Sequence, residues 1–440
     1  MKSLSEAVNK KLPVVYDHLR GKFLMSSEDG TWTVAPHMRV RSALKLAGFA
    51  TKAGKGEVLS ELDAELMRIW EEETVEGVMP LAGYPAGVVE TPDGKLLCPK
   101  GANPVEPVEG EWPLLRELTD NMLGEEQCEY LFQWWAVAIK TLRKGETTPG
   151  PALALCGAPG CGKSLLQNLI AKSLGGRTAK PYQYMTDRTS FNAEMGSSEC
   201  WIIDDENGHT DRASRREFGN HIKQMCASAQ TRIHAKGKDG FVFPTYRRLI
   251  ITLNDEPEDL MVLPFLDEGI VDKLIILKAR NGVGDRPREL GYVGYAERLQ
   301  GELGGFLYWL LNEFAPKNPK VLGDATRFGV SAYIHPDVKE VLTEDGIDRD
   351  MLELVDACLF HDKSDLQEWE GSAAELTALL TGGDSPVAFQ ARQMLKWPGA
   401  CGPYLRKCIG TGRVTRLPGR KSTEKGAVRA WKITRGAPEK

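Results

Sequence analysis

The sequence has 440 residues, of which 42% are hydrophobic, and its 61 acidic and 56 basic residues give a net charge of −5. This length predicts roughly two to four domains, and the composition excludes collagen-like, disulfide-scaffold and fully disordered proteins. Nine scattered cysteines without a CxxC pair, an N-terminus without the apolar run of a signal peptide, and no stretch near the ~18 apolar residues of a membrane helix favour a cytoplasmic protein without membrane contact. The net charge, taken alone, disfavours nucleic-acid binding.

The first 110 residues are predicted to form a mixed α/β domain of unknown role. Its expected elements are a helix at residues 42–49, a helix at residues 59–73 and a pair of strands within residues 83–98. A stretch rich in proline, glutamate and glycine predicts a linker at residues 99–113. Apolar residues at helical spacing follow, and they predict a helical collar over residues 111–146 that is broken near Gly124.

A phosphate-binding loop is indicated where an apolar strand runs into the pattern GxxxxGKS and then into a helix with one apolar face. Glycines let backbone N–H groups surround phosphates, and the helix N-terminus adds the positive end of its dipole. Lys163 is expected to bridge the β- and γ-phosphates and Ser164 to bind Mg²⁺. Cys156 and Cys161 are interpreted as packed thiols. The predicted nucleotide-binding residues are Gly157, Ala158, Pro159, Gly160, Cys161, Gly162, Lys163 and Ser164.

Two further apolar strands end in polar residues. The first ends in three consecutive acids, Asp204, Asp205 and Glu206, and like charges at a strand end repel unless a cation holds them. We assign Asp204 to the metal and Asp205 to the attacking water, with Glu206 as the alternative for the second role. The next strand ends in Asn254, whose amide can orient the water and sense the γ-phosphate.

These three motifs, in this order, resemble the superfamily 3 helicases of small DNA viruses, phages and mobile elements. More narrowly, they resemble the helicase portion of phage and plasmid primase-helicases. The likeness covers residues 152–280, and it implies an AAA+-type ATPase core with a parallel sheet over residues 147–318. It further implies ATP and Mg²⁺ as cofactors, single-stranded and forked DNA as partners, and a hexameric ring of identical chains. No primase or polymerase motif is visible, so a separate primase or polymerase is a further expected partner.

Between the second and third motifs, the family carries a β-hairpin whose basic tip enters the central channel. Residues 231–245 are similar, since two β-prone runs flank a turn that contains two lysines and two glycines. The resemblance implies DNA contacts by His234, Lys236 and Lys238, and two lysines at such a tip would hold phosphates without reading sequence. If the family resemblance is set aside, the alternative interpretation of the same segment is an ordinary surface hairpin.

Family members also carry an arginine finger shortly after the third motif, which reaches the neighbouring subunit's γ-phosphate. In this sequence Lys273 takes that place, and a lysine presents a point charge where arginine presents a planar fork. Arg280, beyond the next strand, is an alternative. Arg247 and Arg248, before the third motif, are two more.

The C-terminal end is strongly basic. Residues 386–440 contain 13 basic and two acidic residues, a net charge of +11 that leaves −16 for the rest of the chain. Helices are predicted at residues 372–380, 387–395 and 402–409, followed by strands at residues 412–417 and 427–433 that a loop joins. This order resembles a winged helix and predicts a basic DNA-binding region over residues 319–440. Candidate DNA contacts are Arg406, Lys407, Arg420 and Lys421, whereas Trp397, Tyr404 and Trp431 are interpreted as core residues.

Together, the motifs predict an ATP-dependent replicative DNA helicase that forms a ring. Two alternatives stay open. One is a P-loop switch whose nucleotide state controls DNA binding without unwinding, as in a regulator or partition factor. The other is an AAA+ machine that is not a helicase, such as a defence ATPase or a protein remodeller.

Overall fold

The structure is a computed structural model of the 440-residue chain, and it describes residues 12–204, 212–234, 240–323, 327–344, 347–360, 366–395, 397–423 and 426–436. The chain divides into two compact units, residues 1–338 and residues 339–440. Helix α11 spans the boundary between them and is given with the first unit below. The division into four parts at residues 110, 146 and 318 stays a prediction.

The first unit contains two small N-terminal sheets, a central sheet and a two-stranded hairpin. Its strands are β1 (Val14–Asp17), β2 (Lys22–Ser26), β3 (Trp32–Ala35), β4 (Thr74–Val75), β5 (Gly77–Val78), β6 (Gly87–Thr91), β7 (Gly94–Cys98), β8 (Ala152–Gly157), β9 (Thr178–Ala179), β10 (Cys200–Asp204), β11 (Gln230–Ile233), β12 (Phe241–Pro244), β13 (Arg248–Leu253), β14 (Leu274–Ala279) and β15 (Tyr333–Ile334). Its helices are α1 (His37–Leu46), α2 (Glu61–Glu72), α3 (Pro113–Arg143), α4 (Lys163–Ser173), α5 (Tyr182–Met185), α6 (Ala193–Gly196), α7 (Arg212–Ala227), α8 (Pro257–Leu260), α9 (Arg286–Leu290), α10 (Tyr292–Asn312) and α11 (Pro336–Glu344).

The N-terminal residues form a four-stranded sheet, in the order β3-β2-β1-β4, and a three-stranded sheet, in the order β5-β7-β6. The predicted helix at residues 59–73 and the predicted strand pair are confirmed by α2 and by β6 with β7. The other predicted helix exists as α1, but it begins five residues earlier and ends three residues earlier than expected. The misplacement has a simple cause, because α1 buries only Val40 and Leu44 and its basic residues obscure the apolar spacing.

Helix α3 confirms the helices predicted before the phosphate-binding loop and the break between them, whereas their role as a collar stays a prediction. Gly124 has φ 70° and ψ 172°, which are not helical angles, and helix continues on both sides of it. A Cβ added at this glycine would lie 2.8 Å from Nη2 of Arg280, so both the backbone angle and the close approach favour glycine. The first turn of α3 is held by α10, where the Glu302 carboxylate accepts the backbone N–H groups of Leu114 and Leu115 at 3.2 and 2.8 Å.

The central sheet has six strands in the order β15-β14-β8-β13-β10-β9, and every neighbouring pair is parallel. Every residue of β8 and β13 is buried, as expected for central strands with both faces covered. This arrangement confirms the predicted α/β core with a parallel sheet. Because the strands are parallel, the loops that follow β8, β10 and β13 meet at one edge, where ligands of open α/β sheets bind.

The opposite edge of this sheet anchors the N-terminal residues. Glu199, immediately before β10, is fully buried and accepts the backbone N–H of Gly83 at 2.9 Å. Its carboxylate also pairs with Arg177, whose guanidinium donates to the Leu81 carbonyl. The pairing with Arg177 compensates the buried negative charge of Glu199. The hydrogen bonds to Gly83 and Leu81 hold the loop at residues 81–84 against the core.

The second unit contains α12 (Ile347–Val355), β16 (Glu368–Ser372), α13 (Ala373–Thr381), α14 (Ala388–Met394), α15 (Cys401–Cys408), β17 (Val414–Thr423) and β18 (Gly426–Thr434). The three predicted helices are confirmed, and Ser372 with Glu375 forms a capping box at the start of α13. The strands form an antiparallel sheet in the order β16-β18-β17.

Two expectations for this unit were wrong. The predicted loop at residues 418–426 is mostly strand, because Pro418-Gly419 causes an irregularity in register between Arg416 and Arg420 instead of a turn. Trp397 is 48% exposed and is not a core residue, whereas Tyr404 and Trp431 are buried as expected. Strand β16 was not predicted, since its Glu-Trp-Glu-Gly-Ser sequence lacks a β-branched residue.

No helix in the part of the chain that the structure describes combines the length and the apolar character that a membrane crossing requires.

Candidate active site

The phosphate-binding loop lies between β8 and α4, at the carboxyl edge of the central sheet. Helix α4 begins at Lys163, and Gly162 before it has φ 111°, a left-handed angle that strongly favours glycine. A Cβ on Gly162 would also lie 2.8 Å from Cε of Met122 in α3. The loop is therefore folded tightly against α3, with the N-terminus of α4 behind it.

Lys163 connects the first motif with the third. Its side chain is buried, and its ammonium Nζ donates to the carbonyl oxygens of Gly157 and Ala158 at 2.6 and 3.0 Å. Nζ also lies 3.4 Å from Oδ1 of Asn254, which follows β13. The lysine and the amide that the sequence assigned to the γ-phosphate thus lie together, in the segments that follow the neighbouring strands β8 and β13.

The second motif meets the first at the same edge. Oγ of Ser164 lies 3.3 Å from Oδ1 of Asp204, at the end of β10. The hydroxyl of Thr252 donates to that same Oδ1 at 2.6 Å, and Thr252 is fully buried in β13, directly opposite Asp204 in the strand register. The hydroxyl of Thr252 thereby orients the carboxylate of Asp204. Sequence reasoning missed it, although a hydroxyl within the otherwise apolar stretch Leu249–Leu253 was a visible signal.

These oxygen groups fit Mg²⁺. Within the described residues no group of three or more Asp, Glu, His or Cys side chains is arranged to hold a metal ion, so a cage made only of protein ligands is absent there. Mg²⁺ in nucleotide sites instead takes one or two protein oxygens and completes its octahedron with phosphate and water. Ser164 and Asp204 would supply these two oxygens. Asp205 and Glu206, which the sequence assigned to water activation, lie outside the described residues.

Replacing Thr252 with valine is expected to raise the Mg²⁺ concentration for half-maximal ATP hydrolysis about tenfold, because outer-shell partners of a metal ligand typically have effects of this size. Valine keeps the shape of the side chain and removes only the hydroxyl that orients Asp204. A Mg²⁺ titration of the hydrolysis rate measures the effect. Thr141→Val is the matched control, since that buried hydroxyl donates only to the Val137 carbonyl of its own helix. Equal Mg²⁺ dependence in both variants would contradict the assigned role.

The two cysteines beside the loop are packed groups. Burial raises the pKa of Cys156 to about 12, so its thiol stays protonated at neutral pH. Cys161 is 3% exposed, and its sulfur lies 3.9 Å from Nζ of Lys163. Both positions agree with the interpretation of these residues as small apolar groups.

A cavity of about 440 Å³ opens beside the phosphate-binding loop. Gly160 forms one side, and the segment after β14 forms the other, with Asn281, Val283, Asp285 and Tyr292 among its lining residues. The segment is held to the loop, because the backbone N–H of Gly282 donates to the Cys161 carbonyl at 3.0 Å. The cavity thus combines apolar and polar groups next to the place predicted for the phosphates.

The candidate finger residues lie at opposite ends of β14. Lys273 precedes Leu274, which pairs with the first residue of β8, so it lies at the edge away from the phosphate-binding loop. Its Nζ donates to Asp272 at 2.7 Å and to the Gly269 carbonyl at 2.9 Å. Arg280 follows β14 at the edge of its own phosphate-binding loop, and its backbone N–H donates to the Met122 carbonyl.

The other two arginine alternatives lie in the interior of the first unit. Arg247 and Arg248 are only 4% and 2% exposed, and they donate to backbone carbonyls of their own chain. A side chain that acts across a subunit boundary has to be at the surface.

The predicted hairpin is present, since β11 and β12 form an antiparallel pair in which Ile233 faces Phe241. His234 directly follows β11, and its ring lies 5.7 Å from that of Phe191. Lys236 and Lys238, the predicted tip lysines, lie outside the described residues. The position between β10 and β13 in the chain is the expected one.

The predicted DNA contacts of the second unit are described in part. Arg406 and Lys407 are exposed on α15. Arg420 and Lys421 belong to β17, where they pair with Arg429 and Val428 of β18, and their side chains lie outside the described part of the chain.

Comparison with known proteins adds a fold relationship. Residues 155–263 match a family described as a family of unknown function (DUF5906), which is less than half of the chain. Among solved structures, the A-form apo structure of the NrS-1 C-terminal region is similar over 96% of both chains, with 14% identity and a TM-score of 0.52. A second apo structure of that region gives 15% identity and a TM-score of 0.51 over the same shares. At 14–15% identity, this likeness shows that the chain shares the fold of the NrS-1 C-terminal region, and nothing more.

Two structures of helicases show weaker likeness. The SCCmec type IV Cch structure, titled an active helicase, has a TM-score of 0.29 and 12% identity, over 91% of this chain and 73% of that one. The JCV helicase has a TM-score of 0.25 and 14% identity, over 53% and 66%. TM-scores this low do not establish a shared fold with either helicase. No curated protein matches the sequence.

Proposed function

We propose that the chain is an ATP- and Mg²⁺-dependent DNA helicase of superfamily 3 type, which assembles as a hexameric ring and acts in the replication of a phage, virus or mobile element. The observation that carries the proposal is the meeting of three motifs at one sheet edge. Lys163 lies 3.4 Å from Asn254, and Ser164 lies 3.3 Å from Asp204. A phosphate loop, a metal carboxylate and a sensing amide on adjacent parallel strands make up a site for nucleoside-triphosphate hydrolysis.

Each residue has a role at the phosphates. Lys163 would move from the loop carbonyls to the β- and γ-phosphates, where its charge stabilises the transition state. Ser164 and Asp204 would hold Mg²⁺, with Thr252 keeping the carboxylate in place. Mg²⁺, when bound, would neutralise charge on the phosphate oxygens. Asn254 would contact the γ-phosphate, and Asp205 or Glu206 would orient the attacking water.

The cavity beside Gly160 is the place for the nucleoside. Its Val283 and Pro287 offer apolar contact to a base, and Asn281 and Asp285 offer hydrogen bonds. We infer that the ATP base and ribose bind there while the triphosphate lies on the loop.

In the proposed ring, each subunit would supply a cation to the γ-phosphate bound by its neighbour. Lys273 lies at the sheet edge away from its own phosphate-binding loop, which is where a group that serves a neighbour belongs. Arg280 lies beside its own loop and suits a role within the same subunit. We therefore favour Lys273 as the finger and keep Arg280 as the alternative.

DNA would be held at two places. The hairpin, through Lys236, Lys238 and His234, would grip single-stranded DNA in the channel, because lysines at a loop tip neutralise phosphates irrespective of sequence. The second unit would bind duplex or origin DNA as a winged helix. Its sheet order β16-β18-β17, its helices and the exposed Arg406 and Lys407 support this role.

The experiment that tests the proposal measures ATP hydrolysis by the wild-type protein with and without single-stranded DNA, and displacement of one strand from a forked duplex. We expect DNA to stimulate hydrolysis and ATP to drive displacement. Stimulation without displacement would favour the P-loop switch. No stimulation by any DNA would favour an AAA+ remodeller or defence ATPase.

A further inference from the structure

The stem of the β11–β12 hairpin packs against the N-terminal sheet β5-β7-β6. A buried apolar cluster joins them, in which Ile233 and Phe243 of the stem meet Leu81, Leu96 and Cys98 of the N-terminal segment. None of these five side chains is more than 3% exposed. Apolar burial of this extent holds two elements together as one packed unit.

Polar contacts follow the same boundary along β12. Oδ2 of Asp93, in the turn between β6 and β7, accepts the backbone N–H of Val242 at 2.8 Å. The hydroxyl of Tyr84 donates to the Pro244 carbonyl, also at 2.8 Å. The outer edge of the stem is thus bonded to residues that lie about 150 positions earlier in the chain.

The other edge of the stem is held by one buried amide. Asn192 is 2% exposed; its Nδ2 donates to the Arg232 carbonyl at 2.8 Å, and its Oδ1 accepts the His234 N–H at 2.6 Å. Its backbone N–H donates to the His234 carbonyl at 3.1 Å. The residue acts as a short strand partner for the last residues before the tip.

Below the stem, Arg247 links the hairpin to the catalytic sheet. Its guanidinium donates to the hydroxyl of Thr231 at 2.7 Å and to the Met225 carbonyl at the end of α7 at 3.0 Å. One residue later β13 begins, the strand that carries Thr252 and leads to Asn254. The stem is therefore held on both edges and at its base.

We propose that the N-terminal sheet β5-β7-β6 and Asn192 are the positioning platform of the DNA-gripping hairpin, so that the tip lysines are presented by one rigid unit made of stem and sheet. This gives residues 77–98 a direct part in DNA handling. The proposal rests on the proposed function for its DNA readout, because that function makes the hairpin the DNA grip. Asp93 and Asn192 are positioning residues here, since they contact the stem backbone and act on DNA only through it.

The test compares Asp93→Ala with Asp93→Asn. Asparagine keeps an oxygen at the place where the Val242 N–H donates, and alanine removes it. Asp29→Ala is the matched control, since Asp29 lies in the turn between β2 and β3 and bonds only within that turn among the described contacts. Asn192→Ser is the second variant; it shortens the side chain and breaks the paired contact with Arg232 and His234.

Two readouts separate the positioning claim from the helicase claim. Amide hydrogen exchange of residues 230–234 and 240–243 reports the stem directly and needs neither ATP nor DNA. We expect Asp93→Ala to speed this exchange about fivefold, the factor expected for the loss of one hydrogen bond. Asn192→Ser removes two side-chain hydrogen bonds and should speed the exchange at least as much, while Asp93→Asn and Asp29→Ala leave it unchanged. Strand displacement per ATP hydrolysed should fall several-fold in the same two variants, with ATP hydrolysis in the absence of DNA unchanged.

Each outcome decides one claim. Unchanged stem exchange in both Asp93→Ala and Asn192→Ser would overturn the positioning platform, whatever the protein does with DNA. Faster exchange with undiminished displacement would overturn its role in DNA handling. If the wild type displaces no strand, the proposed helicase function fails, and hydrogen exchange alone then supports or overturns the platform.

Discussion

Replacing Lys163 with alanine is expected to reduce ATP turnover about a thousandfold. The ammonium of Lys163 is the cation of the phosphate-binding loop, and removal of one preorganised charge from a transition state typically lowers the rate by 10²–10³. In the structure this side chain lies buried between the loop carbonyls and Asn254. Phosphate release under saturating ATP and Mg²⁺ measures the loss.

Lys172→Ala is the matched control for this experiment. Lys172 is an exposed lysine in the last turn of the same helix α4, and its substitution should leave turnover within about twofold, as is usual for surface changes. A Lys163→Ala protein that kept a tenth of the wild-type rate would contradict the assignment of the loop as the hydrolytic site. This variant does not separate a helicase from the other ATPases considered above, because all of them need the lysine.

Replacing Lys236 and Lys238 together with alanine is expected to abolish strand displacement and to leave ATP hydrolysis without DNA unchanged. The two lysines would neutralise phosphates in the channel, and they take no part in the nucleotide site. Their loss should also change the salt dependence of single-strand binding. Each phosphate contact contributes about 0.7 to the slope of log K against log salt, so the slope should fall by about 1.4.

Lys52→Ala with Lys55→Ala provides the control, because these two exposed lysines flank a glycine in another surface loop. That variant should displace DNA at the wild-type rate and with the wild-type salt slope. Undiminished displacement by the hairpin variant would exclude the hairpin as the DNA grip, even if the wild type proves to be a helicase.

The nucleotide site was largely predictable because its signals are local. A glycine loop between strand and helix, and apolar strands that end in Asp204 and Asn254, identify themselves by sequence alone. Their convergence on one edge also followed, since parallel strands bring their carboxyl ends together. The sequence could not supply Thr252 as the support of Asp204, because that contact depends on the register of two strands separated by 48 residues.

The hairpin support was beyond sequence reasoning for the same reason. Asp93 and Asn192 are ordinary turn and loop residues when read locally. Their partners, Val242 and His234, lie 149 and 42 residues away, and only the folded chain brings them together. The part proposed for residues 77–98 as a hairpin support therefore rests on contacts that appear only in the folded chain.

Two wrong predictions, the bounds of helix α1 and the burial of Trp397, also arise because tertiary packing is not visible in the local sequence. Helix α1 was misplaced because it buries only Val40 and Leu44, and its basic residues obscure the apolar spacing. Trp397 was assigned to the core as an aromatic residue, yet it is half exposed and lies 5.8 Å, ring to ring, from Tyr404. Residue type indicates whether a side chain tends to be buried, whereas the packing of the whole unit decides whether it is.

The distribution of charge along the chain contains a feature that the net charge hides. The basic residues 386–440 all fall within the second unit, so the +11 belongs to one folded body. An acidic remainder does not prevent contact with DNA when the contacts are confined to such a unit and to a hairpin tip.

The most direct test of the account is strand displacement from a labelled forked DNA duplex by the wild-type protein, with ATP and Mg²⁺. We expect displacement that requires hydrolysis, so a non-hydrolysable ATP analogue and the Lys163→Ala protein should both give none. ATP hydrolysis that single-stranded DNA leaves unchanged, together with an intact fork, would contradict it.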